Sequence, residues 1–575
     1  MAHISNQEAA RILSEIAIYL DMQDVPFKPR AYEKAALAVE GLEENVGDIY
    51  ARGGLRALEE IPGVGVSIAE KLEELIKKGH TAYYDELKKK TPVDLAGLRA
   101  VEGLGPKSIK KLYQALRVKS LADLERAARA GKIGRIPGFG KKSEENILKG
   151  IGFVKRSSGR FILGFVMPDV RAIEARLKGL KEVERVVVAG SVRRRKETIG
   201  DVDILIVSKT PRPVMDYFVN MPEAVRVYAH GETKSAIKIR SGLDVDLRVV
   251  AAGSYGAAMN YFTGSKDHNI ALRQLAMKKG LKLNEYGLFR GKKQIAGKSE
   301  EELYTALGMD YIEPEMRENA GEIELSKQHR LPRLVDYHDL EGDLQAQTDW
   351  TDGSDSIETM ARAASARGLK YLAITDHTKR LAMTHGLDEK RIMKQMAEIG
   401  RVNKKLLGKI RVLTGSECDI LKDGSLDLPD SVLSKLDVVG ASVHSHFNLS
   451  RKDQTERIVR AVKNPHVDIL FHPTGRIIQK RDPYDVDMEA IIKAAKAAGA
   501  VMEIDAYPDR LDLKDEYIKK CVQAGVKLAI DSDAHSSAHF SYLECGIAQA
   551  RRGWVEKKDV VNAWPLDTMM NTLKK

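Results

Sequence analysis

Val188-Ala-Gly-Ser-Val-Arg-Arg-Arg-Lys-Glu-Thr-Ile-Gly-Asp-Val-Asp-Ile-Leu-Ile-Val207 links two β-branched apolar runs through a glycine-serine turn and an arginine cluster. Its second run opens on Asp201 and Asp203. Alternation along a strand sends residues i and i+2 to one face, so both carboxylates are expected to point the same way. A third carboxylate, Asp246, lies in Leu243-Asp-Val-Asp-Leu-Arg-Val-Val250, which reads as a neighbouring strand. Three acidic oxygen ligands suit hard cations that bridge phosphates. Two such ions, roughly 3.5–4 Å apart, stabilise the attacking and leaving oxygens of an in-line displacement. The stretch therefore predicts a small α/β domain that performs nucleotidyl transfer.

A chain of 575 residues is too long for one core, so several domains are expected. The formal net charge of +11 favours a polyanionic partner. Cys418, Cys521 and Cys545 form no CxxC pair, which argues against a disulfide framework or zinc ribbon and fits a reducing compartment. No apolar run reaches membrane-spanning length and the N-terminus carries no signal-peptide pattern, so a cytoplasmic protein with no membrane role is expected.

Residues 1–150 are mostly amphipathic helical pattern broken by an internal repeat. Ile61-Pro-Gly-Val-Gly65, Val101-Glu-Gly-Leu-Gly105 and Ile136-Pro-Gly-Phe-Gly140 recur at intervals of 40 and 35 residues. Glycines permit positive φ and bring backbone amides close to a ligand, and the next helix start then offers an anion site. The pattern resembles the helix-hairpin-helix motif, which grips DNA backbone without reading sequence. On that resemblance Gly63, Gly65, Gly103, Gly105, Gly138 and Gly140 are candidate DNA contacts. Residues 1–90 are expected to form a helical domain with one hairpin, and 91–154 a helical domain with two more.

Residues 155–255 alternate β-branched runs with helical pattern and are expected to form a small α/β sheet domain carrying the carboxylates. Residues 256–318 read as a small mixed domain. The charged, Pro-punctuated stretch 319–342 reads as a linker. From Asp343 the rhythm changes: apolar strands end repeatedly in a potential ligand, as in Leu372-Ala-Ile-Thr-Asp-His377, Val412-Leu-Thr-Gly-Ser-Glu417 and Val438-Val-Gly-Ala-Ser-Val-His444. Strand–helix alternation with polar strand C-termini is the layout of an α/β barrel with its site at that face.

Gly190-Ser191, Arg194, Gly200-Asp-Val-Asp203, Asp246-Leu-Arg248, Tyr261-Phe-Thr-Gly-Ser265 and Asn284-Glu-Tyr286 together resemble the successive motifs of family X DNA polymerases. Lys298 to Gly308 and Tyr311 to Glu315 resemble that family's thumb, and the resemblance makes 1–90 a lyase-like domain, 91–154 a fingers-like domain, 155–255 a nucleotidyltransferase palm with a mixed sheet and 256–318 the thumb. The resemblance makes Asp201, Asp203 and Asp246 ligands of two Mg²⁺ or Mn²⁺ ions. It makes Gly190, Ser191, Arg194 and Gly200 part of the triphosphate grip, and Tyr261, Phe262, Gly264 and Asn269 nucleotide contacts. Arg248 and Arg273 become DNA contacts. Lys266 stands where polymerase beta carries an acidic residue, and is expected to hold dNTP before template arrives. Lys71 aligns with the family's lyase nucleophile, an amine able to form a Schiff base with an abasic sugar.

Residues 343–575 resemble the polymerase-and-histidinol-phosphatase (PHP) domain, a distorted (β/α)7 barrel that hydrolyses phosphoesters. Its metal pattern maps onto Asp352, His377, Glu417, His444, His472, Asp533 and His535, a donor set suited to Mn²⁺, Zn²⁺ or Fe²⁺. The domain's usual Asp-Leu-His-x-His reads Asp343-Leu-Gln-Ala-Gln347, so Gln345 and Gln347 stand at degraded ligand positions.

The expected protein is a monomeric DNA-directed DNA polymerase that fills short gaps during repair, using dNTPs on gapped or primer-template DNA of any sequence. A weakened 3′–5′ exonuclease or abasic-site endonuclease is fused to it. The alternatives are a template-independent nucleotidyltransferase and a non-catalytic DNA-end scaffold. Three hairpins count against the first and an intact carboxylate triad against the second. A metallophosphatase acting on a small metabolite is disfavoured by the altered Asp343–Gln347 motif.

Overall fold

The computed structural model describes residues 4–42, 44–101, 104–157, 159–381 and 384–574. They fall into two compact units. The first comprises Met1–Gly159, His338–Gly546 and Lys558–Lys575; the second comprises Arg160–Tyr337 and Ile547–Lys557.

In the first unit the N-terminal helices are α1 (Asn6–Met22), α2 (Lys28–Glu40), α3 (Val46–Glu59) and α4 (Val66–Lys78). Ser5 caps α1 by accepting from the Glu8 amide at 3.1 Å, and Gly79 ends α4 in the left-handed conformation. Leu13, Ile16, Tyr19, Leu58 and Leu72 form the buried seam of these helices. Between α3 and α4 the first glycine hairpin buries Ile61 and Val64 and turns at Gly63, φ 79°. The second hairpin leads into the helix Pro106–Leu116 and the third into the helix Lys141–Ser157, with Gly138 at φ 92°.

The barrel of the first unit has seven strands, all parallel, in chain order. For economy the palm strands of the second unit are β1 (Arg185–Val188), β2 (Asp201–Val207), β3 (Ala224–His230), β4 (Lys234–Ile239) and β5 (Asp244–Val250). The barrel strands are then β6 (Gly342–Asp343), β7 (Tyr371–Ile374), β8 (Arg411–Asp419), β9 (Val438–Ser442), β10 (Ile469–Leu470), β11 (Val501–Asp505) and β12 (Leu528–Asp531). A bridge from Ala346 to Ala534, just past β6 and β12, nearly closes the ring. Gly440 has no side chain because the Phe471 ring fills that space: a Cβ would lie 1.8 Å from it.

The palm sheet runs β1-β2-β5-β4-β3. Only β2 and β5 are parallel neighbours, which makes the sheet mixed. Ile204, Ile206, Val245 and Leu247 pack with Val214, Met215 and Phe218 of the covering helix Pro211–Val219. Beyond the sheet lie the helices Tyr255–Thr263 and Lys266–Lys278, a three-stranded sheet and the helix Glu300–Ala306. The stretch read as a linker is packed rather than loose. Its helix Glu322–Lys327 buries Glu322 2.7 Å from His268 Nδ1, and Ser326 donates to the Asp310 carbonyl. Periodicity over six residues is too short to signal this.

Candidate active sites

In the palm, parallel register sets Asp201 beside Asp244 and Asp203 beside Asp246. Gly190 follows β1 at φ 62°, and a Cβ there would meet the Asp203 carboxylate at 2.7 Å. The glycine thus lets the turn close over the acid. Burial, then Asp201 and Asp246, push the Asp203 carboxyl up to about 6, as expected where like charges share a site.

Asp201, Asp203 and Asp246 do not form a group in which three ligand atoms all lie close enough to share a single ion. Among the described residues, the groups of three close enough to share an ion both lie in the barrel. Lys234 on β4 pairs with Asp246 Oδ2 at 3.0 Å. Sequence reading missed this lysine, because only the β4–β5 register brings it there.

Ser191 lies in the short helix Gly190–Arg193, and Gly200 immediately precedes β2. Arg193 and Arg194 divide their work. Arg193 pairs with Glu300 at 2.6 Å, whereas Arg194 donates to the Thr263 carbonyl and lies 3.2 Å from Glu318. Gly264, φ 72°, leaves room for Arg194: a Cβ would stand 3.0 Å from its Nη1. Tyr261 is half-exposed and meets Phe262 edge-on at 5.2 Å, and the Arg248 guanidinium lies 4.8 Å from the Phe262 ring centre. Asn269 donates to the Tyr261 carbonyl at 2.7 Å, and Arg273 to the Asn269 carbonyl at 3.2 Å. Lys266 is exposed at the start of its helix.

In the helical region Gly65 and Gly105 cap helices α4 and Pro106–Leu116, and Gly140 precedes Lys141–Ser157. All three are exposed. Gly103 lies outside the described residues. Lys71 donates to the Ser67 carbonyl at 2.8 Å and its hydroxyl at 3.1 Å, with its ammonium 5.3 Å from the Tyr83 ring centre.

At the barrel's strand ends two sets of donors fall within ion-sharing distance: Asp352, His377 and His535, and His377, Glu417 and His444. Asp352 Oδ2 lies 3.5 Å from His377 Nε2 and 3.6 Å from His535 Nε2. Glu417 faces His377 at 3.3 Å, His444 at 3.0 Å and His472 at 2.7 Å. Although burial alone would lower both imidazoles, Glu417 raises His444 to about 9, and Asp352 and Asp533 raise His535 to about 10. Burial pushes Glu417 up, but His377 and His444 outweigh it and hold the carboxyl well below its usual range. Protons and metal ions compete for such groups. Asp352 Oδ1, His377 Nδ1, His444 Nε2 and His472 Nδ1 are buried without hydrogen-bond partners among the described residues. This donor set fits divalent transition-metal ions.

The glutamines depart from that pattern. Gln347 donates its amide to Glu417 Oε2 at 2.9 Å, and its Oε1 is buried without a hydrogen-bond partner among the described residues. Both amide atoms of Gln345 are buried without a partner among the described residues. Asp533 faces Arg510 at 3.5 Å, as does Asp505. His385 and His446, which lie near these strand ends in sequence, are exposed.

Family models match residues 4–81 (helix-hairpin-helix domain), 95–152 (SAM-like helix-hairpin-helix tandem), 258–318 (DNA polymerase beta thumb) and 343–506 (PHP domain). The DNA polymerase/3'-5' exonuclease PolX of Bacillus subtilis (strain 168) is 35% identical over 574 residues, covering 99% of both chains. The chain belongs to the PolX family of family X DNA polymerases. A probable phosphatase of Thermoanaerobacter sp. (strain X514) is 31% identical over 217 residues, 36% of this chain and 83% of the relative. One of Acetivibrio thermocellus is 29% identical over 225 residues, 38% and 84% respectively. Helix-hairpin-helix and polymerase regions mark DNA as the PolX chain's partner. Among the described residues no helix is long and apolar enough to cross a membrane.

Proposed function

We propose that the protein is a DNA-directed polymerase that fills short gaps in repair, with a reduced metal-dependent phosphoesterase in the same chain. The observation that carries the reading is the parallel register of β2 and β5, which sets Asp203 beside Asp246 under the Gly190 turn. Asp201, Asp203 and Asp246 would hold two Mg²⁺ or Mn²⁺ ions, which when bound neutralise triphosphate charge and support in-line displacement.

Asp246 would lie nearest the primer 3′-hydroxyl, whose proton must leave as the oxygen attacks. Lys234 must yield its contact with Asp246 as that happens. Ser191 and Arg194 take the triphosphate; Arg194 does so by sharing a guanidinium now on Glu318. Tyr261, Phe262 and Asn269 line the sugar, and Arg248 and Arg273 face DNA. The exposed glycine turns at Gly63, Gly65, Gly105, Gly138 and Gly140 hold DNA phosphates, so binding should be sequence-independent and salt-sensitive.

In the barrel, Asp352, His377 and His535 would hold one ion and Glu417, His444 and His472 another, Mn²⁺ suiting both sets. Such ions, when bound, lower the pKa of water and offset phosphodiester charge. Gln345 and Gln347 would leave a further position unfilled, which makes the trimming slow. Lys71 remains a lyase candidate; trapping by borohydride on an incised abasic duplex tests it. The chain works as a cytoplasmic monomer on this reading.

The test is primer extension on a one-nucleotide-gapped duplex with Mg²⁺ or Mn²⁺. Addition of a single templated nucleotide supports the reading. Untemplated addition favours the terminal-transferase alternative, and no addition favours the scaffold. Omitting dNTPs exposes the 3′ trimming.

A further inference from the structure

Helix α2 belongs in sequence to the first hairpin region, yet it lies along two loops of the barrel that carry metal-ligand candidates. Asp352 sits in a loop whose flanking carbonyls take donors from α2. Lys34 Nζ donates to the Ser354 carbonyl at 3.0 Å, and Arg30 Nη2 to the Thr351 carbonyl at 3.3 Å. The second loop carries His535. Its backbone amide donates to His539 Nδ1 at 3.3 Å, and His539 Nε2 donates to the Leu37 carbonyl of α2 at 3.1 Å. One tautomer, protonated on Nε2, satisfies both bonds.

The seating is close. Gly41, at the end of α2, faces Ala538 and His539, and a Cβ there would fall 2.7 Å from Ala538 Cβ. The two loops are also joined directly: the Ser354 amide donates to the His535 carbonyl at 2.7 Å, and the Ser537 amide to Asp355 at 2.7 Å. Thus two of the three donors Asp352, His377 and His535 are each separated from α2 by a short bridge of hydrogen bonds. At its other side α2 meets the first glycine hairpin: a Cβ on Gly63 would lie 3.5 Å from Lys34 Cβ. Lys34 therefore spans the gap between a DNA-phosphate turn and the loop of Asp352.

We propose that Lys34, seconded by Arg30, is a positioning residue of the barrel's ion site, so that the first hairpin region is a working part of the phosphoesterase. This rests on the reading of the barrel as a metal centre. Removing the donors leaves the Thr351 and Ser354 carbonyls to solvent and frees the Asp352 loop to leave His377 and His535. Groups that orient metal ligands from behind typically change metal affinity or activity by ~10–100-fold when removed.

The experiment is a Mn²⁺ titration of the full-length, DNA-free protein by calorimetry, with wild type, Lys34→Ala/Arg30→Ala and Lys34→Arg, and with gap filling in Mg²⁺ followed in parallel. The expected result is one Mn²⁺ site weakened by about 10-fold or more in the double alanine variant, near-wild-type binding in Lys34→Arg, and gap filling unchanged. Equal Mn²⁺ affinity in the double variant and wild type overturns the coupling, even if thermal stability drops. A wild type that takes up no Mn²⁺ overturns the metal-centre reading itself, and the coupling with it.

Discussion

Replacing Glu300 by Gln should loosen the palm and its triphosphate turn together. Glu300 is fully buried and accepts from Arg317 at 2.5 Å, Arg193 at 2.6 Å and Tyr311 at 3.3 Å. Arg317 is itself fully buried between the Tyr304 and Tyr311 rings, 5.4 and 5.2 Å away. An amide keeps the shape but leaves two guanidinium groups in the interior without a counter-charge. Breaking one partner of a buried pair costs about 3–5 kcal/mol.

The depressed Glu300 carboxyl gives a figure of the same order. Burial raises the Glu300 carboxyl, but Arg317 and Arg193 outweigh it and hold it at about 2, against an ordinary 4.5. At ~1.4 kcal/mol per pKa unit this is roughly 3 kcal/mol. For a folded-state carboxyl that is depressed, the contribution is complete above about 4.5 and is lost as pH falls towards 2. A domain this size moves roughly 2–4 °C per kcal/mol, so the palm melting transition should fall by on the order of 10 °C in Glu300→Gln at pH 7. The gap between variant and wild type should narrow as pH drops below 4.5. Scanning calorimetry measures both. A shift under about 2 °C at pH 7, or one that does not shrink in acid, refutes the reasoning.

Restoring imidazoles with Gln345→His/Gln347→His should add about one Mn²⁺ per chain and speed 3′ trimming, since a neutral amide is a poor ligand for such ions; unchanged stoichiometry by elemental analysis counts against the lesion. Lys266→Ala should weaken dNTP binding to the DNA-free protein several-fold, because the exposed ammonium begins the helix after Gly264. Equal affinity in a fluorescence titration rejects that role.

Much of the architecture was legible because it is carried by local patterns. The Asp-x-Asp spacing opens a strand, and apolar runs ending in His377, Glu417 and His444 are the C-terminal ends of parallel strands. What escaped depends on register or on contacts distant in sequence. Lys234 reaches Asp246 only through the antiparallel pairing of β4 and β5. Arg193, Glu300 and Arg317 look like surface charges until they are found buried together. The anchoring of α2 on loops about three hundred and five hundred residues later leaves no periodic trace at all. Gln347 was read as a missing ligand, yet it also occupies Glu417 as a donor, which spacing alone could not reveal.

The most direct test of the account is the single-turnover insertion rate on a one-nucleotide-gapped duplex, wild type against Asp203→Asn, with DNA affinity measured for both. The account predicts a rate lower by on the order of 10³-fold or more, with DNA binding retained, because a neutral amide is a poor ligand for the two ions. An Asp203→Asn protein that inserts the templated nucleotide within a few-fold of wild type would contradict it.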